Sequence, residues 1–246
     1  MPGSLPRWIA HRGGGSLAPE NTLAGIRLAA RLGFRAVEFD VMLSADGTPF
    51  LIHDETLERT TNGHGLVCAT PDRVLRSLDA GQGESLPTLT QAAALCRELG
   101  LLANVEIKSA AGHETETAEV VARQCAVLWQ GAAAPPLISS FSLEALAIAR
   151  DVAPEIPRGL LFDAVPADWL SQWRDLRGLT LHCNAEHVAP HVLVEANANG
   201  IPVLCYTVNC PEQAAELLAS GVSALFTDRL DLFAETSAYK ALQLGG

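Results

Sequence analysis

Cysteine does no visible structural or metal-binding work in this chain. The six cysteines, Cys68, Cys96, Cys125, Cys183, Cys205 and Cys210, are widely scattered, and no two form a CxxC pair or a zinc-knuckle spacing. A chain of 246 residues needs no disulfide staples, so the expectation is mostly reduced, buried thiols. The opening residues lack the basic segment and apolar stretch of a signal peptide, and no apolar run approaches membrane-spanning length. The reading is a soluble, cytoplasmic protein without membrane insertion. Basic residues are scarce, 17 Lys and Arg against 28 Asp and Glu, a net charge of −11. That balance argues against nucleic acid as a partner, because a phosphate backbone is held mainly by Lys and Arg, and against anionic membrane surfaces. A small anionic substrate stays compatible, since local charge in a cleft counts for more than the total. With 48% hydrophobic and 18% charged residues the chain is not disordered. No linker-like stretch divides it, which favours one domain over residues 1–246.

What is present is a repeated alternation. Short apolar runs recur at Trp8–Ala10, Ala36–Met42, Phe50–Ile52, Leu102–Ile107, Leu137–Ser140, Gly159–Phe162, Leu179–Leu181, Pro202–Tyr206 and Ala224–Phe226. Between most of them lie Ala/Leu-rich segments with helical spacing: Asn21–Leu32, Thr88–Leu99, Glu114–Leu128, Leu143–Arg150 and Pro211–Leu218. Strands alternating with helices indicate βαβ units and a parallel sheet. Nine strands are one too many for a closed (β/α)8 (TIM) barrel, and the surplus is assigned to the run ending at His53. That run follows its predecessor too closely for a helical crossover, and Asp46-Gly47 is a two-residue hairpin signal. With that turn, cross-strand partners sum to 93 and His53 lies opposite Asp40. Residues 55–87 lack clear periodicity and read as an inserted loop region at the same rim.

The chemistry-bearing residues cluster at strand ends. Glu38 and Asp40 lie two apart on one strand, so both side chains leave the same face. With Val37, Phe39 and Val41 apolar, that face is the barrel interior. Glu106 arrives in the same way within Asn104-Val-Glu-Ile-Lys108. Carboxylates gathered together resist burial unless a cation separates them. Three of them without thiolates suit one hard divalent ion, Mg²⁺ or Ca²⁺; the rival reading is a salt-bridge network with Arg12 or Lys108. Lys108 shares the face of Glu106 and would hold a phosphate oxygen, and Arg12 offers a fork for another. His11 and His53, each beside the acidic cluster, are the natural acid and base, because imidazole titrates near neutrality. Together these residues point to phosphodiester cleavage. His64, His113, His182, His187 and His191 are read as surface or core residues, and Asn21 as the N-cap of the first helix.

Ile9-Ala-His-Arg-Gly-Gly, Pro19-Glu-Asn-Thr22, Val37-Glu-Phe-Asp-Val41, His53-Asp54 and Asn104-Val-Glu-Ile-Lys108, taken in order, resemble the glycerophosphodiester phosphodiesterase family of the bacterial cytoplasmic type. Ser139-Ser-Phe141, Tyr206-Thr-Val-Asn209 and Phe226-Thr-Asp228 fall where that family has its remaining strand-end motifs. The resemblance spans about Arg7 to Leu230. It implies a TIM-barrel hydrolase that releases sn-glycerol 3-phosphate and an alcohol from glycerophosphodiesters such as glycerophosphocholine or glycerophosphoethanolamine. It implies Glu38, Asp40 and Glu106 as metal ligands, His11 and His53 as acid and base, and Arg12 and Lys108 as phosphate holders. It further implies attack by the glycerol C2 hydroxyl to give a cyclic phosphate that water then opens.

Two positions depart from the family pattern: Tyr206 stands where tryptophan is common, and Leu230 where proline is. The first bears on substrate preference, and neither touches the proposed catalytic set. Rival readings are a barrel phosphodiesterase for lysophospholipids or phosphoinositides, a non-catalytic binding protein on the same scaffold, and a metal-dependent isomerase or aldolase. The sequence shows no amphipathic membrane-facing segment for the first, and no loss of an acid, base or ligand for the second. The third explains Arg12, Lys108 and the paired histidines poorly. No interface pattern indicates an oligomeric state.

Overall fold

Alternating strands and helices close here into a ring, as the sequence pattern requires. The computed structural model describes residues 5–108 and 110–234; residues 1–4 and 235–246, which the single-domain expectation includes, lie outside the described residues. In chain order the elements are β1 (Trp8–Ala10), α1 (Leu23–Arg31), β2 (Ala36–Leu43), β3 (Pro49–Leu51), α2 (Asp72–Leu75), α3 (Leu89–Leu99), β4 (Leu102–Ile107) and α4 (Glu114–Leu128). They continue with β5 (Leu137–Ser140), α5 (Leu143–Val152), β6 (Arg158–Phe162), α6 (Trp169–Asp175), β7 (Thr180–Asn184), α7 (Pro190–Ala198), β8 (Val203–Tyr206), α8 (Pro211–Ala219), β9 (Ala224–Thr227) and α9 (Leu230–Phe233). Every strand except β3 is parallel to its ring neighbours, and β1 closes the ring by pairing with both β2 and β9. The fold is a TIM barrel with one extra strand outside the ring. No helix among the described residues is long and apolar enough to cross a membrane.

Local chemistry sets the helix starts. Thr22 caps α1 by accepting from the Gly25 N–H. Thr88 and Gln91 form a reciprocal capping box on α3, which ends at Gly100 in the left-handed conformation (φ +67°). Pro190 and Pro211 open α7 and α8, where a missing N–H costs nothing. Helices α6 and α7 lie outside the helical segments read from the sequence. Helix α7 buries Val192, Leu193 and Ala196, but its run Val192-Leu-Val194 hides the period. Helix α6 is two turns long and held by Trp169, 1% exposed.

Strand β2 is the longest, and its outer half overhangs β1, which meets it only at Ala10–Val37. That overhang receives β3, antiparallel, at Val41–Leu51, Met42–Phe50 and Leu43–Pro49. The register differs by one residue from the expected one, because the turn has three residues. The Ser44 N–H donates to the Thr48 carbonyl at 2.9 Å, and Gly47 takes φ +78°, the three-residue hairpin with a left-handed closing residue. Ile52 therefore stands opposite Asp40, its N–H donating to the Asp40 carbonyl. A one-residue shift along a continuing strand would turn His53 to the opposite face. Strand β3 ends at Leu51, however, and the chain bends, so His53 still enters the barrel mouth.

The region 55–87 is built rather than inert. Phe50, Ile52, Leu57, Val67, Leu75, Ala80 and Leu86 pack with Met42 into a small core of its own. Burial of each larger side chain is worth about 1.5–3 kcal/mol, which holds the segment on the barrel rim with little regular structure. The main core lies between ring and helices, with Val37, Phe39 and Val41 pointing into it. Their alternates Glu38 and Asp40 are both 2% exposed and face inward.

Candidate active site

All seven residues singled out in the sequence line one cavity of about 140 Å³ at the C-terminal mouth of the barrel: His11, Arg12, Glu38, Asp40, His53, Glu106 and Lys108. Strand register explains the meeting. Asp40 on β2 pairs with Glu106 on β4, and Ala10 at the end of β1 delivers His11 beside them. Carboxylate oxygens of Glu38, Asp40 and Glu106 all lie within 4.8 Å of one another. Burial and the neighbouring Asp40 carboxylate push the pKa of Glu38 and of Glu106 up. Lys108 Nζ reaches Glu106 Oε1 at 2.7 Å and Asp40 at 3.6 Å, and Arg12 Nε lies 3.6 Å from Asp40. These contacts are those of the rival salt-bridge network, yet they leave Glu38 Oε1 and Arg12 Nε buried without a hydrogen-bond partner. An unmet acceptor on Glu38, a Glu106 Oε1 that meets only Lys108, and an unmet donor on Arg12 fit a hard cation with a phosphate beside it.

Both imidazoles are held alike. His11 Nδ1 donates to Asp228 Oδ1 at 2.7 Å, and His53 Nδ1 donates to Asp54 Oδ1 at 2.6 Å. A carboxylate on Nδ1 sets the tautomer and leaves Nε2 for chemistry. Burial works against a charge on His11, but the Asp228 bond and the nearby Glu38 more than offset it, and its pKa is raised. Burial also lowers His53, and there Asp40 and Asp54 do not make up the difference.

Support comes largely from residues to which the sequence reading gave no catalytic role. Asn21 is not the cap of α1; that is Thr22. Asn21 adopts φ +58° and clasps Asp40, its Nδ2 donating to Oδ2 at 2.9 Å while its Oδ1 accepts the Asp40 N–H at 3.0 Å. Asn209 clasps Asp228 in the same way, at 3.0 and 2.8 Å. Arg12 also has a positive φ, +48°, with its N–H bonded to Glu38 Oε2. Backbone strain of this kind persists where surrounding contacts over-determine it, commonly at functional sites. Phe141, Leu161, Tyr206 and Phe226 supply the apolar side of the cavity, and buried His182 also lines it. Phe141 and Tyr206 meet edge to face at 5.9 Å, and the Tyr206 hydroxyl donates to the Phe162 carbonyl. Among these, the Asp228 signal was available in the Phe226-Thr-Asp228 motif, whereas the Asn21–Asp40 contact joins positions 19 residues apart and has no local signature.

A TIM barrel whose mouth joins an acidic triad to carboxylate-oriented histidines and two cationic side chains fits a hydrolase of phosphate esters. The profile of the glycerophosphoryl diester phosphodiesterase family matches residues 11–232. The chain is 32% identical over 228 residues to a glycerophosphodiester phosphodiesterase of Caldanaerobacter subterraneus subsp. tengcongensis, covering 89% of this chain and 93% of that protein. Its fold matches a phosphodiesterase of Oleispira antarctica, solved in complex with the product sn-glycerol-3-phosphate, with TM-score 0.86 and 38% identity over 91% of this chain and 93% of that one. It also matches a glycerophosphodiester phosphodiesterase of Agrobacterium tumefaciens, with TM-score 0.77 and 28% identity over 94% of this chain and 100% of the other. The chain belongs to the glycerophosphodiester phosphodiesterase family and is an enzyme of the phosphoric diester hydrolase class.

Proposed function

We propose that this enzyme hydrolyses glycerophosphodiesters such as glycerophosphocholine to sn-glycerol 3-phosphate and the free alcohol, with a divalent cation and two histidines. The observation that carries the reading is the single cavity in which an acidic triad, two carboxylate-held imidazoles, Arg12 and Lys108 all converge. Glu38, Asp40 and Glu106 would hold the ion, Mg²⁺ or Ca²⁺, which when bound polarises the phosphate and supports ionisation of the attacking hydroxyl. Arg12 and Lys108 hold phosphate oxygens of the bound substrate, and Lys108 stabilises the charge that builds on them. His53, favoured in its neutral form, takes the proton from the glycerol C2 hydroxyl as its oxygen bonds to phosphorus. His11, favoured in its protonated form, gives a proton to the departing alcohol oxygen as the phosphorus–oxygen bond breaks. Water then opens the cyclic phosphate with the proton traffic reversed. The six free cysteines suit a reducing compartment, which supports a cytoplasmic setting.

The test is release of glycerol 3-phosphate from glycerophosphocholine in EDTA, Mg²⁺ or Ca²⁺, for the natural enzyme and its His11→Ala and His53→Ala variants. Release that needs the ion and falls by at least about a hundredfold in each variant is expected. A substrate analogue without the C2 hydroxyl should resist cleavage. No release with any ion would redirect the site to lysophospholipid substrates or to binding alone, and equal release by the variants would remove the two histidines from the reaction.

A further inference from the structure

Arg59 lies in the inserted region, outside the seven site residues, and its side chain is 46% exposed. It nonetheless makes four hydrogen bonds to two carboxylates from distant parts of the chain. Nε and Nη2 bond the two oxygens of Asp54 at 2.5 and 3.0 Å, and Nη1 and Nη2 bond those of Glu20 at 2.8 Å each. Each carboxylate is in turn the partner of a site residue. Asp54 accepts from His53 Nδ1, and Glu20 accepts from Arg12 Nη1 at 3.0 Å. An exposed ion pair alone is worth little, but a guanidinium forked onto two carboxylates fixes their geometry. The arginine itself is anchored. Leu57, 1% exposed, sits in the small core under the insertion, and its carbonyl accepts both the N–H and the hydroxyl of Thr61.

We propose that Arg59 is a positioning residue for the reaction: through Asp54 it sets the ring of His53, and through Glu20 it sets the guanidinium of Arg12. The inserted region thereby orients the proton-transfer arm and the phosphate-holding arm at once. This rests on the function proposed above and adds a consequence of its own, that the two arms are separable. The His53 arm governs kcat and the Arg12 arm governs KM.

The experiment measures kcat and KM on glycerophosphocholine with the ion-saturated enzyme, for Arg59→Ala, Arg59→Lys, Asp54→Asn, Glu20→Gln and the two doubles combining Arg59→Ala with each carboxylate change. Arg59→Ala should lower kcat and raise KM, each by about ten- to a hundredfold, the range for residues that orient reacting groups. In the Asp54→Asn background its effect on kcat should vanish while the effect on KM persists, and in the Glu20→Gln background the reverse. Arg59→Lys keeps the charge without the fork and should restore at most one arm. A merely structural role would cut activity equally in all backgrounds, in step with the folded fraction seen by circular dichroism, and that result overturns the proposal. A natural enzyme that releases no glycerol 3-phosphate overturns the phosphodiesterase reading and the proposal with it. An active natural enzyme with additive doubles overturns the proposal alone.

Discussion

His182 offers a sharp test of how the barrel interior treats charge. It lies on β7, 1% exposed, with Nε2 2.9 Å from the Thr180 hydroxyl. The ring is packed hard: a Cβ added at Gly159 would come within 2.6 Å of Nε2. Burial without a charged partner pushes its pKa down to about 3, against about 6.5 in the unfolded chain. Between those values the unfolded state binds a proton that the native state does not, so stability falls as pH falls from about 6.5 towards 3. The slope approaches about 1.4 kcal/mol per pH unit, and integration from pH 7.5 to pH 5 gives a loss of about 2 kcal/mol from this one residue. That is a large share of an ordinary margin of about 5–15 kcal/mol.

Other groups titrate in the same window, and the raised Glu38 and Glu106 act with opposite sign. The variant His182→Gln isolates the term, because its amide keeps a partner for Thr180 and does not ionise. Urea unfolding of both proteins in EDTA from pH 7.5 to pH 5 should show the natural enzyme losing about 2 kcal/mol more than the variant. The Cε1 proton of His182, assigned by its disappearance in the variant, should keep its neutral NMR shift down to pH 5. Parallel stability curves, together with a shift that titrates near 6.5, would refute the claim that the interior excludes the imidazolium.

Further predictions concern the hairpin and the ion. Gly47→Ala should destabilise the protein by about 1 kcal/mol through backbone conformation alone, since nothing lies within 4 Å of an added Cβ and φ is +78°. Gly47→Asn should cost less, as urea unfolding at pH 7.5 would report, and a neutral alanine would mean the turn relaxes into another form. Saturating Mg²⁺ or Ca²⁺, at about a hundred times Kd, should stabilise the enzyme by about 2.7 kcal/mol. That corresponds to a rise in Tm of roughly 5–10 °C; the rise should be absent in Glu38→Gln, and its persistence there would move the ion to another site.

The strands were legible because short apolar runs alternate with helical segments, and the barrel because eight of those runs and the family motifs at their ends fit a closed ring. The run Val37-Glu-Phe-Asp-Val41 shows this best. Its apolar members face the helices and its acidic members the mouth, and both faces of β2 are buried. Illegible parts have specific causes. Asp46-Gly47 closes a two- or a three-residue hairpin equally well, and the choice rests on the bond between Ser44 and Thr48. Strand β6 begins one residue earlier than its apolar run because Arg158 is buried, 3% exposed, with its guanidinium donating to the carbonyls of Leu176 and Ile156 among others. No hydrophobic pattern marks an arginine as a strand residue when its charge is satisfied by backbone oxygens.

The site was legible for a related reason: side chains that are costly to bury stand out against an apolar background. Glu38, Asp40, Glu106 and Lys108 are such residues, whereas Asn21, Glu20 and Arg59 sit in polar loops where the same residue types are ordinary. Their roles arise only from contacts across the fold, such as Arg59 to Glu20 at a separation of 39 residues. Charge then connects the inner and outer groups. With all three ionised, the inner carboxylates outnumber the two inner cations by one, an excess that would repel a phosphodiester. A divalent ion would reverse that sign and would let a chain of net charge −11 receive an anion in its barrel. Among the outer groups Asp228 faces His11, and Asp54 and Glu20 share Arg59, so the outer ring does not relieve the inner excess. The inner ring sets the sign of the field and the outer ring holds the groups that act within it. A buried acidic triad is therefore compatible with phosphate recognition only when ion and cationic arms work together.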